Sequence, residues 1–478
     1  MNKIIVDKNK NNPLYMQIYE QIKRFIENGS LISGYKLPTI RSLAKELDVN
    51  NITVINAYKL LEQNGYVYTK VGSGTYVCED IKREEEYDED LKSLEQGQII
   101  LKEGIINFAS SSPNPELFPV DDFTKLINKV LKRDGGYAFS YQDTKGYKPL
   151  RDAVRDFVKK DDIFTDSENI QIISSGQQGI DVISKALINY EDTVIVESPT
   201  YSWALASFKS RGAEILDVPI LEHGVDLDQL EYKLKKFKPK FIYSMPNFHN
   251  PTGITYSDEN KKKLLSIVDK YDTYIVEDDF ANELSFSGSN ILPLKAFDVY
   301  GRVIYIKSFS KIYMPGLRLG FIITPEKFMN LFLKAKYVSD LSTSGLMQRA
   351  FELYLREGIW LNHVNYIKEI MNKRFEIMYY NLNKIKNFAD FLVPAGGFNF
   401  WLNLENGVSA KALYKKCFEK NVLIVPGDIF YPNKKDDSHI RLSFASSDID
   451  DINLGIKILH ETLNEFFNEN SKTFIPII

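Results

Sequence analysis

The chain has very little cysteine: its 478 residues include only Cys78 and Cys417, far apart in the sequence. Two distant cysteines do not suggest the disulfide framework of a small secreted domain. Histidine is also scarce, with five residues in all, and no group of cysteines and histidines has the spacing of metal ligands. We therefore expect neither a structural disulfide nor a metal site.

Long apolar runs are missing as well. No uninterrupted run approaches the roughly 18 apolar residues that indicate a membrane-spanning helix, and the first residues lack the charged, apolar and small-residue pattern of a signal peptide. The composition, 44% hydrophobic and 26% charged, is typical of a soluble globular protein. These features predict a cytoplasmic protein, and the length favours roughly three folded units.

A strong net charge is the third absence, since the formal charge is −4. The charge is unevenly distributed, however. Residues 1–78 contain ten Lys and Arg against six Asp and Glu, whereas residues 79–104 contain four against ten. The acidic stretch predicts a solvated tether. We therefore divide the chain into a first module, residues 1–78, a linker, residues 79–104, and a second module, residues 105–478.

The first module shows three helical patterns followed by two short alternating runs. Pro13 stands at the start of the first helix, Thr39 can cap the second, and the third follows a tight turn from about residue 51. Two short helices joined by a tight turn predict a helix-turn-helix. The alternating residues on either side of the Gly-Ser-Gly at 72–74 predict a β-hairpin. By pattern alone, any small helical domain with a hairpin remains open.

Three strings make the interpretation specific: residues 37–44 (LPTIRSLA), 53–62 (TVINAYKLLE) and 72–77 (GSGTYV). They resemble the winged helix-turn-helix domain of GntR-type bacterial transcription regulators. The resemblance implies that the second helix of the motif enters the major groove of DNA, with the hairpin as a wing. The groups able to contact phosphates or base edges are Arg41, Asn51, Thr53, Asn56, Lys70, Gly72 and Ser73. The family usually has an arginine where Asn51 stands, so one charged contact is missing here.

In the second module, apolar runs alternate with helical patterns between residues 170 and 323. Continuous apolar runs between helices predict a mainly parallel sheet covered on both faces, an α/β/α arrangement. We expect this large subdomain at about 140–330 and a smaller C-terminal α/β subdomain at about 345–478. Ligands of such sheets bind outside the carboxyl ends of the strands.

The residues with chemical potential fall at those strand ends. In sequence order the ends supply a helix-opening hydroxyl, an aromatic ring, an amide, a carboxylate, a lysine and an arginine: Ser175, Tyr201, Asn250, Asp278, Lys311 and Arg318. Each has an ordinary alternative, such as a helix cap, a core ring, a turn former or a solvated loop residue. Together they suit one ligand, a phosphorylated pyridine aldehyde bound to the lysine as a Schiff base.

This set is similar to the site of fold-type-I pyridoxal 5′-phosphate (PLP) enzymes, and residues 105–478 resemble the aspartate aminotransferase class along most of their length. A GntR-type winged helix fused to such a module resembles the MocR subfamily of regulators. The resemblance implies that Lys311 binds PLP covalently and that Asp278 pairs with the ring nitrogen. Asn250 would bond the ring oxygen, and Tyr201 would stack on the ring.

The same resemblance implies further roles. The phosphate would be held by Ser175, Gly176, Gln177, Ser308 and Arg318. Tyr141 matches a tyrosine that reaches the phosphate of a neighbouring subunit, which implies a homodimer. Arg441 matches an arginine that clamps a substrate carboxylate, although by itself it could be an ordinary strand arginine.

One departure concerns Phe280, which stands where the family commonly has a tyrosine. The missing hydrogen bond to the ring oxygen is worth about 0.5–1.5 kcal/mol, so catalysis is affected more than binding. The leading hypothesis is a DNA-binding transcription regulator that senses PLP or an amine adduct and controls cofactor, amine or amino-acid metabolism genes. The alternatives are an active aminotransferase with an accessory DNA-binding domain, and a regulator whose second module only dimerises.

Overall fold

The computed structural model describes Ile4, Val6 and residues 13–27, 31, 34–63, 65–70, 73–78, 104–286, 291–405, 407–433 and 436–473. The chain separates into two compact units, Met1–Asp90 and Leu91–Ile478, which we describe one at a time. Of the linker predicted at residues 79–104, only Gly104 is among the described residues.

The first unit consists of three helices and a hairpin: α1 Leu14–Glu27, α2 Ile40–Glu46, α3 Asn51–Gln63, β1 Val67–Lys70 and β2 Gly74–Val77. The predicted winged helix-turn-helix is confirmed. The Thr39 hydroxyl caps α2 by accepting a hydrogen bond from the Ser42 amide at 3.2 Å. The apolar faces of the helices bury Ile18, Val54 and Leu61 completely, so the helical spacing of apolar residues builds the core.

The wing includes a segment that the sequence pattern did not indicate. Strands β1 and β2 pair antiparallel, with Val67 opposite Val77. On the other side of β2, Lys36 forms an antiparallel bridge with Tyr76, and the Leu37 amide donates to the Thr75 carbonyl at 2.9 Å. The turn before α2 therefore acts as a third strand of the wing.

The second unit is built on an eight-stranded sheet in the order β4-β11-β10-β9-β8-β5-β6-β7. Its strands are β4 Ile170–Ile173, β5 Thr193–Ser198, β6 Glu214–Leu221, β7 Gly224–Val225, β8 Ile242–Ser244, β9 Ile275–Asp279, β10 Val303–Ser308 and β11 Gly320–Ile323. The pairs β6-β5, β5-β8, β8-β9 and β9-β10 are parallel, and β11 runs antiparallel between β10 and β4. The mainly parallel sheet is confirmed.

The helices from residue 120 to residue 382 are α4 Val120–Asp134, α5 Lys148–Phe157, α6 Gly176–Leu187, α7 Ser202–Ser210, α8 Leu227–Phe237, α9 Asp258–Lys270, α10 Glu326–Asp340, α11 Gly345–Arg356 and α12 Ile359–Leu382. Every residue of β9 and β10 is buried. No helix in the described part of the chain has both the length and the apolar character needed to span a membrane.

The acidic run Glu277, Asp278 and Asp279 lies where the pattern places it, at the end of a strand, and forms the last three residues of β9. The alternative of a solvated acidic loop is wrong, because all three residues are buried and each has its own hydrogen-bond partners. Glu277 accepts hydrogen bonds from two backbone amides, and the Tyr243 and Tyr305 hydroxyls donate to Asp278 and Asp279, respectively.

The C-terminal part forms a four-stranded antiparallel sheet, ordered β12-β13-β16-β15: β12 Ala389–Phe391, β13 Asn399–Leu404, β15 Val425–Pro426 and β16 His439–Ser443. Helices α13, Ala410–Glu419, and α14, Ile449–Thr473, accompany it. The opening strand of the unit, β3 Ile106–Asn107, pairs parallel with β14, Val422–Leu423. The residues that follow β3 are thereby anchored to the C-terminal part.

Candidate functional site

A cavity of about 670 Å³ lies at the carboxyl ends of the parallel strands. The structure brings nine of the predicted ligand residues to its wall: Ser175, Gly176, Gln177, Tyr201, Asn250, Asp278, Ser308, Lys311 and Arg318. These residues come from five different strand ends. The wall also contains Trp203 and Phe280, which supply apolar surface.

One corner of the cavity is built to bind an anion. Helix α6 begins there, and the Ser175 hydroxyl caps it by accepting from the Gln178 amide at 3.2 Å. The first amides of a helix have no partner within it and carry partial positive charge. Gly176 packs against Ser308, since a Cβ at Gly176 would come within 3.2 Å of the Ser308 Cβ. The helix N-terminus and the end of β10 therefore face the same small volume.

Two further groups in this corner fit an anion. Arg318 is exposed at the cavity with a left-handed backbone, φ 51°. Among the described residues, no carboxylate lies within ion-pair distance of its guanidinium. The buried Ser310 hydroxyl, also on the wall, has no hydrogen-bond partner in the described part of the chain. A buried hydroxyl without a partner is rare in folded proteins, so the corner fits a phosphate group.

Asp278 is a buried carboxylate on the wall, held from behind. The Tyr243 hydroxyl donates to its Oδ2 atom at 2.6 Å. Burial raises the pKa of Asp278 to about 6, and the hydrogen bond from Tyr243 opposes that shift. The carboxyl is therefore ionised at neutral pH and can attract a protonated ring nitrogen.

Asn250 is oriented by Arg441. The Arg441 Nη1 atom donates to Asn250 Oδ1 at 3.0 Å, and a guanidinium can only donate. The amide nitrogen of Asn250 is thereby identified as its donor end. Arg441 is fully buried and also donates to the Ala109 carbonyl. Its guanidinium contacts Asn250 but does not line the cavity, so carboxylate binding by Arg441 stays a prediction.

The sequence interpretation missed Ser112. The Lys311 Nζ atom donates to the Ser112 hydroxyl at 3.2 Å, and Ser110 and Ser111 also line the cavity. In the sequence these residues indicate only turns. The pairing of β3 with β14 and the hydrogen bond from the Ser443 amide to the Phe108 carbonyl bring them to the lysine. No local signal could have revealed that contact.

A buried polar cluster beneath Asn250 was also missed. The Glu197 carboxylate accepts hydrogen bonds from the Ser244 and Tyr256 hydroxyls at 2.5 Å each. Its other oxygen lies 3.1 Å from the His249 Nε2 atom, and His249 Nδ1 lies 2.9 Å from the Thr252 hydroxyl. These contacts hold the loop that carries Asn250 in one conformation and thereby position its amide.

Tyr141 does not line the cavity of its own chain. It is 89% exposed, in a segment that also exposes Tyr137 and Phe139. Its predicted role toward a neighbouring subunit stays a prediction.

The residues predicted to contact DNA lie on the surface of the first unit. Arg41, Asn51 and Asn56 are exposed on α2 and α3, and Thr53 is half-buried beside them. Lys70 and Ser73 are exposed on the wing, and Gly72 lies outside the described residues.

The buried Asp278 leads to a stability prediction. The pKa of Asp278 rises from 3.8 to about 6 in the folded protein. Relative to the ionised form, the protonated carboxyl therefore stabilises the folded state below about pH 3.8, and this stabilisation is lost as the pH rises through 6. Asp278→Asn removes the cost of burying the ionised carboxyl, which corresponds to about 3 kcal/mol. We expect the cofactor-free variant to gain up to that much unfolding free energy at pH 8, and much less at pH 4.

Denaturant unfolding at both pH values measures this difference. Asp390→Asn, at an exposed position of β12, is the control and should change neither value. An equal gain for Asp278→Asn at pH 4 and pH 8 would contradict the assignment of the cost to an ionised, buried carboxyl.

Comparison with known proteins identifies a protein family for each of the two units. The profile of the gntR family of bacterial regulatory proteins matches residues 14–77, and that of aminotransferase class I and II matches residues 103–459. The HTH-type transcriptional regulator YdfD of Bacillus subtilis is 31% identical, over 94% of this chain and 96% of its own. The chain belongs to the MocR-like family of GntR regulators.

The aminotransferase fold of this MocR-like regulator is also seen in solved structures. The multiple substrate aminotransferase of Thermococcus profundus has a TM-score of 0.74 and 32% identity, covering 80% of this chain and 95% of its own. The kynurenine aminotransferase of Pyrococcus horikoshii, solved in complex with PMP, gives the same TM-score and identity over 81% and 96%. A curated relative, aromatic-amino-acid aminotransferase 1 of Thermococcus litoralis, is 34% identical over 76% of this chain and 88% of its own.

Proposed function

We propose that this regulator binds PLP in the strand-end cavity and responds to PLP, or to an amine adduct of it, by changing its affinity for DNA. The observation that carries the proposal is the combination in one chain of a GntR-type first unit and a cavity lined by an anion corner, a buried carboxylate and a lysine. The genes controlled would belong to cofactor, amine or amino-acid metabolism.

Each part of the cavity has a role in this proposal. The amides at the start of α6, with Ser308, Ser310 and Arg318, hold the phosphate. Asp278 would favour a proton on the ring nitrogen, and the Asn250 amide nitrogen would donate to the ring oxygen. When bound, PLP supplies an electrophilic aldehyde carbon and an electron-withdrawing ring. Lys311, whose Nζ atom donates to the Ser112 hydroxyl at the cavity wall, would be the amine that holds the cofactor covalently.

A ligand changes DNA binding only if it binds two states of the protein with different affinity. The proposed arrangement is a cytoplasmic homodimer with the DNA-binding domain at residues 1–78, a linker at 79–104 and the PLP-binding module at 105–478. Three neighbouring aromatic side chains, Tyr137, Phe139 and Tyr141, are 77%, 71% and 89% exposed. Such a concentration of exposed aromatic surface supports an interface with a second copy.

Binding to DNA from the protein's own promoter, compared with random DNA of the same length, tests the proposal. The salt concentration must be fixed, because contacts to phosphates make affinity strongly dependent on salt. We expect the protein to prefer its own promoter and the affinity or footprint to change when PLP is added. Equal binding to both DNAs, with and without PLP, would rule the proposal out.

A second candidate function is transamination, because the cavity retains the lysine, carboxylate and anion corner and because curated relatives are aminotransferases. Phe280 on the wall weakens this candidate, since it cannot donate the hydrogen bond of the usual tyrosine. Turnover with a broad panel of amino donors and keto acids distinguishes the two functions. A protein that binds PLP but turns over none of them is not a transaminase.

A further inference from the structure

The wing carries a stack of two tyrosine rings with two lysines beside it. The Tyr68 and Tyr76 rings, on adjacent strands, are stacked with centroids 5.8 Å apart and planes 26° apart. The Lys70 Nζ atom lies 5.6 Å from the Tyr68 centroid and 5.8 Å from that of Tyr76. The Lys36 Nζ atom lies 5.7 Å from the Tyr76 centroid. Two ammonium groups are thus gathered around one ring.

Lys36 is positioned by the backbone as well as by the ring. It bridges Tyr76 across the edge of β2, and its aliphatic stem lies against Gly74. A Cβ added at Gly74 would come within 2.9 Å of the Lys36 Cε atom. The glycine therefore leaves the space that the lysine stem occupies, which directs the ammonium to the Tyr76 ring.

The ring itself is held in place. The Tyr76 and Ser73 hydroxyls lie 2.6 Å apart and share a hydrogen bond. Ring faces are negative and attract cations, so a fixed ring restricts where the two ammonium groups can lie. Arranging them in advance lowers the entropy lost when they bind a ligand.

The charges around this cluster are unbalanced. Both lysines are exposed, and among the described residues neither ammonium has a carboxylate within ion-pair distance. Two like charges near one ring repel each other, and an anion that binds to both offsets this repulsion. The surface consequently suits a polyanion with closely spaced charges. DNA is such a polyanion, and the helix-turn-helix of the same unit belongs to a family of DNA-binding regulators.

We propose that Lys36 and Lys70, arranged around the Tyr68–Tyr76 stack, form a two-lysine clamp for the DNA backbone, each contacting one phosphate. The proposal rests on the proposed DNA-binding function and adds Lys36, which lies outside the predicted recognition helix and outside the hairpin. Because phosphates carry no sequence information, the clamp strengthens binding to every DNA and holds the unit in register for reading bases elsewhere.

The salt dependence of binding tests the clamp. Losing one phosphate contact reduces the magnitude of the slope of log K against log salt concentration by about 0.9. We expect Lys36→Gln to show this change and to weaken binding roughly fivefold to tenfold at 0.1 M salt, equally for promoter and random DNA. Lys70→Gln should do the same, and the double variant should lose about twice the slope. Lys36→Arg, which keeps the charge, should retain it.

Lys23 provides a matched control. Its ammonium lies 5.4 Å from the Tyr66 centroid, but on α1 rather than on the wing, so Lys23→Gln should leave the slope unchanged. An unchanged slope for Lys36→Gln would overturn the clamp. The slope on random DNA needs no promoter preference, so the clamp and the proposed function can fail separately: loss of promoter preference with intact slopes would contradict only the latter.

Discussion

Lys311→Ala is expected to abolish the response of DNA binding to PLP while leaving the fold intact. Lys311 is half-buried at the cavity wall, and its Nζ atom is held by the Ser112 hydroxyl. Removing it takes away the amine that we propose to hold the aldehyde, and the change creates no buried charge. The absorption spectrum after PLP addition, and promoter binding with and without PLP, measure the two consequences.

The control for this variant is Lys327→Ala, at an exposed position near the start of α10. It should keep both the wild-type spectrum and the wild-type response to PLP. A Lys311→Ala protein whose DNA affinity still changes with PLP would show that sensing does not need a covalent bond. Loss of the spectrum without loss of the response would lead to the same conclusion.

The largest loss of stability is expected at Lys307, a buried lysine in β10. Its Nζ atom lies 3.0 Å from Asp279 Oδ1 and 2.8 Å from Glu283 Oε2, and all three side chains are buried. Replacing it with methionine leaves two carboxylates near each other without their shared cation. Removing one partner of a buried ion pair costs about 3–5 kcal/mol, which we expect as the loss in unfolding free energy at pH 7.

The loss in unfolding free energy caused by Lys307→Met should be smaller at acid pH. Burial raises the pKa of Glu283, but the charges of Lys160 and Lys307 outweigh it and lower the value from 4.5 to about 2. A depressed pKa stabilises the folded state above about pH 4.5, and this contribution disappears as the pH falls toward 2. Without Lys307 the ionised Glu283 contributes less stability that acid can remove. The difference in unfolding free energy between the wild type and the variant therefore narrows below about pH 4.5.

Denaturant unfolding of both proteins at pH 7 and pH 3.5 measures this narrowing. Lys373→Met is the matched control, because Lys373 pairs with Glu369 on the surface of α12, where water screens the charges. It should unfold like the wild type at both pH values. A Lys307→Met protein as stable as the wild type at pH 7 would mean that the two carboxylates are not charged in the folded state.

The positions of the cavity residues could be predicted because a parallel sheet places the carboxyl ends of its strands along one edge. Asn250 follows β8 and Asp278 lies at the end of β9, and the pairing of these two strands brings the residues together. The chemical types of the residues predict the kind of site, because few ligands other than a cofactor aldehyde suit a lysine and a carboxylate among small residues. Local pattern predicted the three helices and the hairpin of the first unit, and the three strings at residues 37–44, 53–62 and 72–77 made the winged helix-turn-helix specific.

What could not be predicted depends on contacts between distant parts of the chain. Ser112 reaches Lys311 only because β3 pairs with β14. The bridge between Lys36 and Tyr76 requires a turn to lie along β2. The apolar run of β11 does not reveal that it runs antiparallel between two strands that share a direction. Periodicity reports which side of an element is buried, not which element covers it.

The pairing of β3 with β14 also has a consequence for synthesis of the protein. Ile106 meets Val422, and the hydrogen bond from Arg441 to the Ala109 carbonyl joins residues 332 positions apart. The second unit therefore cannot complete its fold on the ribosome until nearly the whole chain has emerged. The first unit ends at Asp90, so it can fold while the rest of the chain is still being synthesised. The first unit can therefore fold before the cavity of the second unit exists.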